Sequence, residues 1–158
     1  MRKQLLAFTL IEICLAVAIG MMILAMAVPS VQGVFAERAL KSSLERLDDL
    51  ARAAQMLSVS ERRTFVLNWE NSGIALSPEQ LRAEDSGKTW PRLEFEKDEV
   101  FEIDRPVALE KKPTLQWVFW RSGNCEPVII HYKGAAGRWS VRYDALTARS
   151  GFYEQEIQ

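Results

Sequence analysis

From Phe8 to Val28 the chain is an almost unbroken apolar run, and Glu12 is the only charged side chain inside it; Cys14 is the other ionisable group. As a helix rising ~1.5 Å per residue the run reaches about 32 Å, enough to cross a hydrocarbon core of about 30 Å. Arg2 and Lys3 precede it, and the next basic residue is Arg38. That asymmetry predicts a cytoplasmic N-terminus and an external remainder. A secretory signal peptide fits less well, because the apolar stretch is too long and Ala25-Met26-Ala27 is only a passable cleavage site. A plain signal anchor would also span. Neither accounts for Glu12, since an acid in a span costs roughly 2.5 kcal/mol or more and usually has a partner.

The stretch Ala7-Phe8-Thr9-Leu10-Ile11-Glu12 resembles the cleavage and methylation motif of type IV prepilins and type II secretion pseudopilins. In that family a prepilin peptidase cuts before the Phe and methylates the new amino terminus. The resemblance therefore implies cleavage between Ala7 and Phe8 and N-methylation of Phe8. Ala7 stands where the family usually has Gly, a departure that would slow processing. Pro29 lies where these proteins often carry a helix-weakening proline, and it is expected to kink or melt the helix locally. The resemblance also supplies a partner for Glu12: the amino terminus of a neighbouring subunit, paired with it in a low-dielectric filament core and setting assembly register. The plainer alternative is an acid that caps its own helix terminus and snorkels.

Beyond Pro29, Leu40, Leu44, Leu47, Leu50, Ala54 and Leu57 recur at spacings of three and four, with charged residues between them. This predicts an amphipathic helix whose exposed face carries Glu37/Lys41, Lys41/Glu45 and Asp48/Arg52 pairs, and whose apolar stripe rests on the following domain. After Ser58 the pattern becomes β-like. Strands are expected at Thr64–Trp69, Ile74–Leu76, Leu93–Glu96, Val100–Ile103, Leu115–Trp120, Pro127–Tyr132 and Trp139–Tyr143. Ser77–Arg92 reads as a loop or short helix, and Gly123-Asn124 and Gly134–Gly137 as turns. The expected fold class is α+β: a long N-terminal helix, membrane-spanning then amphipathic, packed on a C-terminal antiparallel β-sheet head. Its segments are a leader at 1–7, a span at 8–29, an amphipathic helix at 30–58 and a head at 59–158. The tail from Val118 to Gly151, through Phe119, Gly123, Val128-Ile129-Ile130, Gly137 and Val141, looks like the closing strands of the minor pseudopilin H class, GspH and its pilus relative FimT.

Other constellations are weaker. Cys14 and Cys125 fall on opposite sides of any membrane geometry, so no intramolecular disulfide is expected. Cys125 with His131 lacks a third orienting group and suits packing better than catalysis. One head Cys and one His cannot make a structural zinc site. Glu94, Glu96, Asp98, Glu99, Glu102 and Asp104 could bind calcium or a basic partner, yet their alternation with Leu93 and Phe95 also fits a half-solvated strand. Trp117/Phe119 and Val118/Trp120 give one strand two apolar faces, which reads as a buried central strand, with a face left for a partner as the alternative. No catalytic, cofactor-binding or metal-binding residue is expected.

The resemblance implies a non-enzymatic minor pseudopilin. Its expected partners are the prepilin peptidase, other pseudopilins and the inner-membrane secretion platform, with the head in the periplasm. A minor type IV pilin in pilus assembly or DNA uptake is the alternative within the superfamily. From Glu61 onward there are fourteen Lys and Arg against sixteen Asp and Glu, a net of −2, which disfavours nucleic-acid binding. A membrane-anchored periplasmic enzyme or sensor is the alternative from another class.

Overall fold

A computed structural model describes residues 9–105 and 115–157, with the side chains of 25–32, 152, 153 and 155 excepted. One α-helix, α1, runs from Leu10 to Ser60 as a single element. The span and the amphipathic stretch expected as separate segments are therefore continuous through position 29. The Pro29 side chain lies outside the described residues.

The second half of α1 behaves as its spacing predicts. Leu40, Leu47, Leu50 and Ala54 are buried, joined by Ala51, while Leu44 and Leu57 are half-buried against the same cluster. The stripe lies on a head of eight strands: β1 Phe65–Glu70, β2 Gly73–Pro78, β3 Arg92–Glu94, β4 Val100–Asp104, β5 Gln116–Phe119, β6 Val128–Gly134, β7 Gly137–Tyr143 and β8 Ser150–Ile157. A single 3-10 turn, Ala83–Asp85, interrupts the polar loop after β2. The strands form two four-stranded antiparallel sheets, ordered β3-β2-β1-β5 and β4-β6-β7-β8. The head is thus two sheets where one was expected. α1 touches β1, β3 and β5 of the first and β7 and β8 of the second.

One core serves both sheets and the helix. Trp117 and Tyr143, from different sheets, are fully buried with ring centroids 4.6 Å apart. The Trp69 indole N–H donates to the Phe101 carbonyl at 2.9 Å and so ties β1 to β4. The Trp139 indole N–H donates to Ser43 Oγ at 2.9 Å, and that hydroxyl donates to the Leu40 carbonyl at 2.7 Å. Each buried ring thus keeps its polar atom satisfied while its large apolar body fills the core.

Two expectations need correcting, and one strand was not expected. β5 is an edge strand among the described elements, not a central one: Trp117 and Phe119 are buried on one face, whereas Trp120 is 43% exposed. The acidic end of the chain, to which no strand was assigned, forms β8. Ser150–Ile157 pairs with β7, and Arg138 Nε donates to Glu156 at 2.8 Å across that pair. Asp48 does not pair with Arg52. Its carboxylate accepts from Tyr143 Oη at 2.6 Å and Ser150 Oγ at 2.8 Å, while Arg52 reaches Asp49 at 3.3 Å. Desolvated hydroxyls of the head outcompete a solvated i,i+4 cation for the same oxygens.

Candidate assembly surface

Among the described residues, the first turns of α1 have no partner from the head. Thr9 is the N-cap in an extended conformation, and its carbonyl accepts from the amides of Glu12 at 3.1 Å and Ile13 at 3.3 Å. Glu12 is exposed in this first turn, where the positive end of the helix dipole favours a carboxylate. Around it the apolar residues are exposed in every direction. Met21, Met22, Ile23 and Leu24 are each more than 60% exposed, and four consecutive residues at 3.6 per turn cover the full circumference. A helix apolar all round must be buried in something, whether lipid or other helices. Among the described residues no helix is long and apolar enough to cross a membrane. Residues 25–32, which complete the apolar run, lie outside those whose side chains are described. Ala7 and Phe8, the two residues of the expected cleavage, also lie outside the described residues.

Glu99 and Glu96 of the acidic cluster are engaged internally, whereas Asp98, Glu102 and Asp104 are exposed. The Glu99 carboxylate accepts from Arg46 of α1, from Tyr132 Oη at 2.9 Å and from the Glu96 amide at 2.8 Å. Arg46 also lies 3.4 Å from Glu96, and Arg92 lies 3.7 Å from Glu94. Burial, and then the Glu99 carboxylate, push the Tyr132 hydroxyl up to about 12. Glu96 and Glu99, through Arg46, therefore anchor the helix to the head. Among the described residues no group of three or more His, Cys, Asp or Glu could hold a metal ion.

Cys125 and His131 are not brought together. Cys125 is fully buried, its Sγ donates to the Asp144 carbonyl at 3.4 Å, and burial pushes its thiol up to about 11. At neutral pH it is an inert packing group. The His131 ring instead meets Ser140 Oγ at 2.7 Å across β6 and β7.

A buried ion pair escaped the sequence reading entirely. Arg63 donates to both oxygens of Asp85, at 2.6 and 2.9 Å, and also pairs with Glu61. Asp85 accepts the Arg82 amide at 2.8 Å as well. The guanidinium lies over Phe65 and Trp90, with 5.1 and 5.6 Å to the ring centroids. The Arg63 guanidinium, followed by the Arg82 amide, holds the Asp85 carboxyl well below the usual carboxylate range. The pair pins the loop after β2 to the end of α1.

No protein-family model and no curated protein sequence matches the chain. Among solved structures, the type IV minor pilin FimU of Pseudomonas aeruginosa is similar, with a TM-score of 0.52 at 15% identity over 76% of this chain and 92% of that one. At this identity the likeness concerns the fold, and the fold is pilin-like.

Proposed function

We propose that the chain is a non-enzymatic minor subunit of a type IV pilin-like filament, and within that class a minor pseudopilin of a type II secretion system. One observation carries the reading: an apolar arm exposed on all sides, with a single acid in its first turn, continues as one helix into a folded β head. The arm rests in the inner membrane before assembly and among the arms of other subunits afterwards. The peptidase removes MRKQLLA on the cytoplasmic face and methylates Phe8. Glu12 then pairs with the amino terminus of the neighbouring subunit, since two opposite charges in a low-dielectric core are strongly favoured over two lone ones. The head stands in the periplasm, where filament growth would help drive folded proteins across the outer membrane. The pilin-like fold supports the class. Its likeness to FimU favours a second reading within that class, a minor type IV pilin.

The test is the mass of the membrane-extracted protein after co-expression with a prepilin peptidase. The expected product lacks MRKQLLA and carries one methyl on Phe8; its side-chain charge moves from −1 to −3 because Arg2 and Lys3 leave. An intact Met1 terminus would sink the filament reading and favour an anchored enzyme or sensor. Glu12→Ala should be cleaved and retained in the membrane yet fail to crosslink to partner subunits. Loss of secretion in a deletion strain identifies a pseudopilin, and loss of pili a type IV pilin.

A further inference from the structure

The end of α1 carries an arginine where glycine fits best. Glu61 is the C-cap, the Arg62 amide donates to the Val59 carbonyl at 3.3 Å, and the Arg63 amide donates to the Ser58 carbonyl at 3.2 Å. This pattern puts Arg62 at the left-handed position after the cap, with φ of 51°. A side chain there is strained, and the strain has no packing return, because Arg62 is exposed. It lines a cleft of about 350 Å³ together with Arg63, Arg82, Arg121, Glu79 and Thr64. Arg63 is already committed to Asp85 and Glu61, and Arg82 has Glu84 at 3.3 Å. Among the described residues neither Arg62 nor Arg121 has a side-chain ion pair or hydrogen bond. The negative end of the helix dipole favours cations at Arg62 and Arg63 but not at Arg82 or Arg121, which come from other elements.

The walls are fixed before any ligand arrives. Gln55 Nε2 donates to the Gly123 carbonyl at 2.8 Å, pinning the turn that carries Arg121 to α1. The Glu79 amide donates to the Thr64 carbonyl at 3.1 Å, and Asp85 holds the Arg82 amide. Guanidinium forks on such fixed backbone suit carboxylates, which they can engage with two parallel hydrogen bonds. A polyanion fits less well: the cleft is compact, it contains Glu79, and the head is net negative. The molecule itself displays the complementary surface. Glu94, Asp98, Glu102 and Asp104 are exposed, and Arg46, which meets Glu96, Glu99 and the Glu94 carbonyl, lies sixteen residues before Arg62, about 24 Å at ~1.5 Å per residue. Heads of this kind stacked along the helix direction bring acidic and basic ends together.

We propose that this cleft is a socket for carboxylates of an acidic segment on the head of a neighbouring subunit. The partner rests on the filament reading above; the carboxylate binding does not. The experiment uses the full chain in detergent and a fluorescent acidic hexapeptide, acetyl-(Glu-Asp)₃-amide, read by anisotropy at low salt. A twelve-nucleotide oligothymidylate and acetyl-(Gln-Asn)₃-amide are run in parallel. The acidic peptide should bind saturably and weaken with added salt, and each of Arg62→Gly and Arg121→Gln should lower affinity roughly five-fold. Arg62→Gly should also raise the melting temperature, because glycine relieves the left-handed strain, so weaker binding there cannot be laid to unfolding. Arg138→Gln, on the far hairpin, should bind as the parent does. The proposal is overturned by no saturable binding, by parental affinity in either cleft variant, or by oligothymidylate or the neutral peptide binding as tightly. Glu12→Ala should keep full peptide affinity. A chain that binds the peptide but is never cleaved would fail the filament reading alone, and one that is cleaved and assembles without binding would fail the socket alone.

Discussion

Leu47→Ala is the sharpest test of the claim that the amphipathic half of α1 is part of the head's core. Leu47 has no exposed surface and belongs to the same buried cluster as Trp117, Phe119 and Tyr143. Truncation removes three buried carbons and leaves a cavity that the sheets, each held by its own ladder, can close only in part. The expected loss is about 3–4 kcal/mol, within the range for fully buried leucines. Against a total stability of about 5–15 kcal/mol this is a large fraction, and it should lower the melting temperature by roughly 10 °C. Two positions on the same helix calibrate it. Leu44 is half-buried, and Leu44→Ala should cost about 1 kcal/mol. Met56 is 66% exposed, and Met56→Ala should change stability by less than ~0.5 kcal/mol. The assay is urea and thermal unfolding of the detergent-solubilised chain followed by tryptophan fluorescence. All five tryptophans lie beyond Ser60, so the signal comes from the head while the substitution sits in the helix. Equal small losses at all three positions, or a Leu47→Ala loss below ~1 kcal/mol, would show that the helix does not share the head's core.

Gly73→Ala should destabilise by about 1–3 kcal/mol, because its Cβ would fall 2.2 Å from the Leu93 carbonyl oxygen across β2 and β3, a backbone atom that cannot swing away. Gly151→Ala, whose Cβ would lie 3.7 Å from the Arg142 carbonyl, is the tolerated control in the same unfolding assay. The Asp85 carboxyl is held low, so the stability it contributes is present above the ordinary carboxylate pKa of about 4 and is lost as pH falls toward the folded value. Urea midpoints measured down that acid limb should fall less steeply for Asp85→Asn than for the parent; identical slopes would refute the linkage.

Periodicity carried the elements, and it did so because burial in this fold is one-sided. β6 and β7 alternate buried with more exposed positions along Val128–Gly134 and Gly137–Tyr143, and the α1 stripe faces a single direction, so each left a period in the residues themselves. β8 left none. Its residues SGFYEQEI pair with β7 at the edge of a sheet, where acids such as Glu156 gain a cross-strand arginine and also keep an edge from pairing further. Read alone, such residues look like a solvated tail. β5 misled in the opposite way: Trp120, just past its end, is apolar and still exposed, because only the Trp117 and Phe119 side of the strand faces the core.

Charge was the least legible layer, for a physical reason. Spacing along a helix offers every acid a nearby base, and the weak pairing of solvated groups gives no ground for choosing among them. Asp48 had Arg52 at the right spacing and took Tyr143 and Ser150 instead. Arg46 had local acids and took Glu99, more than fifty residues away. Desolvation decides both cases, and desolvation is known only once the strands are in place. Arg63 and Asp85 follow the same rule at closer range, since a loop that reads as polar filler is held by a carboxylate that Arg63 engages with both its terminal nitrogens while buried. Glu12 is the exception that was legible from the start. Its surroundings along the chain are apolar on every side, so the question of its partner is posed by the sequence itself. The fold does not answer that question from within: among the described residues no base of the head pairs with Glu12, which stands exposed in the first turn of α1.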